Sequence, residues 1–168
     1  MKSKIIMEQV SKYFSAEKGE SILFITVGLL SLILSIYFLI KLKQPLFSGL
    51  SYSFITIAFV ELAIGISIYF RSPKDMIRVN QFIQTEIVKI QSEEIPRMET
   101  VLNNFVIYRW IEIGFVLIGI AMFLYFQTTT LWRGVGLGLS IQASLLLLLD
   151  FIAESRGKIY LEHLQNLN

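Results

Sequence analysis

Twenty consecutive residues without a charge, Ser21–Ile40 (SILFITVGLLSLILSIYFLI), lie between Glu20 and Lys41. At 1.5 Å rise per residue such a run crosses about 30 Å of hydrocarbon. Three more follow. Leu50–Phe70 is interrupted only by Glu61, Val106–Phe126 carries Arg109 and Glu112 near its start, and Leu131–Ala153 carries Arg133 at one end and Asp150 near the other. In lipid every backbone amide must be satisfied within its own segment, so each run is restricted to a helix. Four apolar helices in 168 residues also leave too little polar surface to coat a soluble core. The expected fold is therefore all-α: an integral membrane protein built as a four-transmembrane-helix bundle, one membrane domain over 1–168. A first apolar run this long, with no cleavage-site pattern after it, reads as a retained span and not as a cleaved leader.

An even number of spans puts both termini on one side. Of the 15 lysines and arginines, all but Lys41, Lys43 and Arg133 fall on that side or at its boundary. The positive-inside rule makes it cytoplasmic, N-in and C-in, and the size of the chain suits a bacterial inner (plasma) membrane. Tyr37, Tyr52, Tyr69, Tyr108, Trp110, Tyr125 and Trp132 fall near the span ends, where an aromatic belt is expected.

Composition closes off several chemistries. With no cysteine there is no disulfide, thiol nucleophile or thiolate metal site. The single histidine, His163, sits on a helical pattern in the tail and reads as a surface or packing residue. A net charge of +2 is no footprint for nucleic acid. No nucleophile–base pair, metal signature or cofactor motif is visible, so the chain is expected to be non-enzymatic and without metal or cofactor. Gly134–Gly138 (GVGLG) lacks the Lys-Ser/Thr of a phosphate loop.

Outside the spans, residues 1–20 place Ile6, Val10 and Phe14 on one helical face. This predicts an amphipathic cytoplasmic helix on the membrane surface, ended by Gly19, or packed on the chain's own linker. In the linker 71–105, Ser72-Pro73-Lys74-Asp75 has the pattern of a helix start. Met76, Val79, Ile83, Ile87 and Ile90 then form one apolar stripe, a candidate interaction surface. Pro96 begins a second helix or kinks the first, and that helix runs on towards the third span. The tail 154–168 completes a cytoplasmic helical layer too small for an independent catalytic domain.

Ionisable residues inside spans are costly and invite a functional reading. Glu61, Arg109, Glu112 and Asp150 occupy related depths, with Gln142 as a further hydrogen-bonding residue, and Arg109 is expected to pair with Glu61 and Glu112. Small residues on the fourth span, Gly134, Gly138, Ser140 and Ser144, suit close helix packing within the bundle or a seam between copies. Two functions follow. The first is an interaction, regulatory or immunity-type subunit working through its cytoplasmic layer, with the bilayer, a protein partner or a second copy as partners. The second is an oligomeric ion- or proton-linked channel or transporter around Glu61.

Overall fold

A computed structural model describes the backbone of residues 2–166 and the side chains from residue 6 onward. The chain forms four long helices: α1 (Lys2–Tyr37), α2 (Pro45–Thr85), α3 (Ile95–Tyr125) and α4 (Leu131–Gln165). All four are long and apolar enough to cross a membrane. At 41 residues, α2 is about 60 Å long, roughly twice the hydrocarbon thickness. The surplus length of all four helices gathers at the end holding both chain termini, called here the terminal layer. The opposite end holds the two short turns.

The bundle is two antiparallel hairpins, α1–α2 and α3–α4, joined chiefly along α2 and α4. Those two central helices run in the same direction. Among the described residues the backbones of α1 and α3 stay apart, and the two helices meet through side chains of the terminal layer such as Tyr13 and Met98. At the turn between α1 and α2 the helix widens to π geometry over Phe38–Leu42. Lys43 then adopts a left-handed conformation (φ 46°), and Pro45 fills the first position of α2, where its missing N–H costs nothing. A second π turn, Ile90–Glu94, leads into α3, with Pro96 in its first turn.

Two predicted breaks are absent. α1 runs through Gly19, and α2 runs through Ser72 and Pro73. A mid-helix glycine costs about 1 kcal/mol and a proline about 3 kcal/mol, and tertiary packing outweighs both. Ser72 is fully buried and donates its hydroxyl to the Phe14 carbonyl of α1 at 2.8 Å. The N-terminal segment is thus the outward continuation of the first long helix, packed on the chain itself.

The core of the terminal layer joins Ile6, Val10, Tyr13 and Phe14 of α1 to Val79 and Ile83 of α2, Ile90, Met98 of α3, and Tyr160 and Leu164 of α4. The linker stripe therefore points inward. Val79, Ile83 and Ile90 are buried, Met76 packs against the same core, and only Ile87 stays exposed, beside Val88. The stripe is no open interaction surface, because its apolar face is satisfied by α1 and α4.

Tight helix packing rests on small residues. Ser21, Gly28 and Ser35 of α1 recur every seven residues, and so do Ser51, Ala58, Gly65 and Ser72 of α2. Step by step they meet. Ser35 and Ser51 donate to each other's carbonyls at 3.3 and 3.2 Å. Gly28 lies against Ala58, and Gly65 against Ser21. On α4, Gly134 and Gly138 face α2: a Cβ on Gly134 would collide with the Leu46 carbonyl, and one on Gly138 would meet Leu50 O at 2.8 Å. Gly136 and Ser140 face Gly119 of α3. Gly134, Gly138 and Ser140 thus serve the bundle's own seams, whereas Ser144 is exposed and donates to the Ser140 carbonyl of its own helix.

Candidate functional site

Near the middle of the apolar length, three helices contribute one polar cluster. Gln142 of α4 donates through Nε2 to Glu61 Oε2 of α2 at 2.8 Å and to Ser31 Oγ of α1 at 2.9 Å. Glu61 and Gln142 are fully enclosed. Small neighbours on the α1–α2 seam bring the backbones close enough for short side chains to meet. Glu61 Oε1 and Gln142 Oε1 find no hydrogen-bond partner.

Arg109 does not join this cluster. Its guanidinium pairs with Glu154 of α4, which also accepts from Lys158 at 2.8 Å. Arg109 and Glu154 both face the α3–α4 seam, whereas Glu61 lies on the other side of α4. The hydrogen bond from Arg109 holds the Glu154 carboxyl below the usual carboxylate range, against the opposing effect of burial. Glu112 and Asp150 meet each other across the same seam, and Glu112 Oε2 has no partner. The predicted cluster is thus two separate sites: Glu61 with Gln142, and Glu112 with Asp150 beside the Arg109–Glu154 pair. A cavity of about 420 Å³ adjoins the second site, walled by Phe105, Leu148 and Phe151, with Ser144 at its edge.

The densest charge chemistry lies in the terminal layer, around Glu94. Glu94 is 1% exposed. It accepts from Arg97 at 2.6 and 2.8 Å, from Arg78 at 3.3 Å and from the Tyr160 hydroxyl at 3.1 Å. The pairing continues through Asp75 and Arg71 to Glu17 of α1. Burial, reinforced by the Glu94 carboxylate, pushes the Tyr160 phenol well above its ordinary range, so it remains a donor. Tyr160 also stacks on Tyr13, with centroids 4.0 Å apart, and Tyr13 bonds the Met98 sulfur. Arg156 closes the α1–α4 side by pairing with Glu20.

This chain matches no protein-family model, no curated protein and no solved structure. Ser31 and the α1–α2 small-residue seam escape a reading based on charged residues. The seam's signal is the seven-residue recurrence of small side chains, which is the spacing of a helix–helix seam; Ser31 lies off that series and has none. Glu94 has no such signal, because apart from the neighbouring Arg97 its partners, Arg78 and Tyr160, come from distant stretches of chain.

Proposed function

We propose that this chain is a small non-enzymatic multi-span membrane protein acting as an interaction or regulatory subunit, of the immunity or accessory type. It works through its terminal helical layer, whose excess of basic residues supports a cytoplasmic placement, and the size of the chain suits a bacterial inner membrane. One observation carries the reading. On the turn side of Glu61, the α2–α4 and α3–α4 seams close backbone against backbone. At Gly134, Gly136 and Gly138 not even a methyl group fits, so no water file passes there. Both described cavities lie on the terminal side, and the ion pairs spanning α1, α2, α3 and α4 make that end a stiff platform.

A second reading is an oligomeric ion- or proton-linked channel or transporter. It draws on the enclosed Glu61 carboxyl, whose Oε1 has no partner. Ion and proton flux in proteoliposomes separates the two. The subunit reading expects no flux from wild type or from Glu61→Gln, with both chains folded. Wild-type flux that disappears in Glu61→Gln would overturn it in favour of the second.

A further inference from the structure

Where the apolar length of the helices meets the terminal layer, all four contribute to a cavity of about 500 Å³. This is within the usual range of small-molecule pockets. Its polar wall carries Glu17, Arg71, Asn104 and Arg156, and its apolar wall carries Phe24, Ile64 and Phe105. Glu17 is 8% exposed. Arg71 reaches its Oε1 at 3.3 Å, but its Oε2 is enclosed without any hydrogen-bond partner. The Arg156 guanidinium pairs with Glu20, while its Nε is likewise enclosed and unpartnered. Buried polar atoms of this kind are rare, and each one in a folded protein calls for a partner.

We infer that this cavity binds the headgroup of a phospholipid bearing a primary ammonium. Three arguments converge on that ligand. The first is charge. Glu17, Glu20 and Asp150 line the cavity against Arg71 and Arg156, so acids outnumber guanidiniums and a purely anionic ligand is disfavoured. The second is donor and acceptor count. Glu17 and Arg156 line the cavity and each keeps one enclosed polar atom without a partner; a turn of either side chain presents an acceptor from Glu17 and a donor from Arg156, and an ammonium and a phosphate on one molecule supply both partners. The third is order along the helix. On α1, Glu17 stands outermost, Glu20 with its partner Arg156 next, and Phe24 about 10 Å inward of Glu17. A phospholipid presents ammonium, phosphate and acyl chain in that same order. The backbones of α1 and α3 stay apart here, so the acyl chains can leave between their side chains towards the bilayer.

The test uses the full chain purified in a mild detergent. It is titrated with dioctanoyl phosphatidylethanolamine, with dioctanoyl phosphatidylcholine and with free phosphoethanolamine. Binding is read by native mass spectrometry and by the thermal midpoint. The ethanolamine lipid is expected to bind about tenfold more tightly than the choline lipid, whose trimethylammonium has no N–H to give Glu17. Glu17→Gln should remove most of that preference. Ser67→Phe, or Asn104→Phe if the first fails to fold, should fill the cavity and abolish binding while the lipid-free melt is retained. Equal affinity for the two lipids would overturn the assignment. So would ethanolamine-lipid binding unchanged in the filled variant, and free phosphoethanolamine binding as tightly as the lipid would overturn the lipid as its source.

Discussion

Replacing Glu94 with glutamine removes one negative charge at the point where α2, α3 and α4 are tied together. The wild-type carboxylate accepts from Arg97 twice, from Arg78 and from Tyr160. Deleting one member of a buried ion pair costs about 3–5 kcal/mol when its partners stay desolvated. Here the arginines are less confined, since the side chains of Arg78 and Arg97 are 42% and 22% exposed and can recover water. Glutamine also keeps one acceptor for Arg97 or Tyr160. The expected loss is therefore below that range, about 2 kcal/mol, or about 4–8 °C in a domain of this size. Thermal unfolding in detergent, followed by circular dichroism, measures it. Glu99→Gln is the control, because Glu99 lies just beyond it in the first turns of α3 but is exposed. A Glu94→Gln chain that melts within about 1 °C of the control would refute the claim that this carboxylate ties the layer together.

Two further outcomes are expected. Gly134→Ala places a Cβ against the Leu46 carbonyl and should cost about 1–3 kcal/mol as α2 and α4 separate. Gly114→Ala meets nothing within 4 Å and should be neutral or stabilising by about 0.5–1 kcal/mol; equal melting temperatures for the two variants would contradict the seam. The lowered Glu154 pKa gives the fold a contribution that is present above the unfolded carboxylate value of about 4.3 and is lost as pH falls through the lower folded value. The acid side of a melting-temperature profile should accordingly be flatter in Glu154→Gln than in wild type.

The four apolar helices were legible because hydropathy over twenty residues is a strong signal and lipid permits few alternatives. Boundaries were less legible. Gly19 and Ser72-Pro73 carry local break signals worth about 1–3 kcal/mol, and the sequence does not display the packing of Phe14, Val79 and Tyr160 that outweighs them. Gln142 was singled out as a hydrogen-bonding residue and does bond across helices, with Glu61. The expected Arg109–Glu61 pairing fails, and Glu154 as the partner of Arg109 was not recoverable, because depth in a bilayer can be counted along a helix but the facing side depends on which helices are neighbours. Arg109 looks into the α3–α4 seam, and Glu61 lies beyond α4. Glu94 stayed hidden for a related reason: a carboxylate at a helix start is ordinarily a solvated complement to the dipole.

The seven-residue spacing along α1 and α2 has a mechanical corollary. Ser35 meets Ser51, Gly28 meets Ala58, Gly65 meets Ser21, and Ser72 meets Phe14. Sliding one helix along the other by a single turn, about 5.4 Å, would drive Leu, Ile or Phe side chains into gaps sized for a hydroxyl or a hydrogen. The next register that matches small to small is about 10.5 Å away. The hairpin therefore behaves as a ratchet with no intermediate tooth: it can lean or swivel as one beam, but it cannot telescope. A shift of α1 along its axis would therefore take α2 with it, and Ser31 would carry it to Gln142, which it meets in the middle of the bundle.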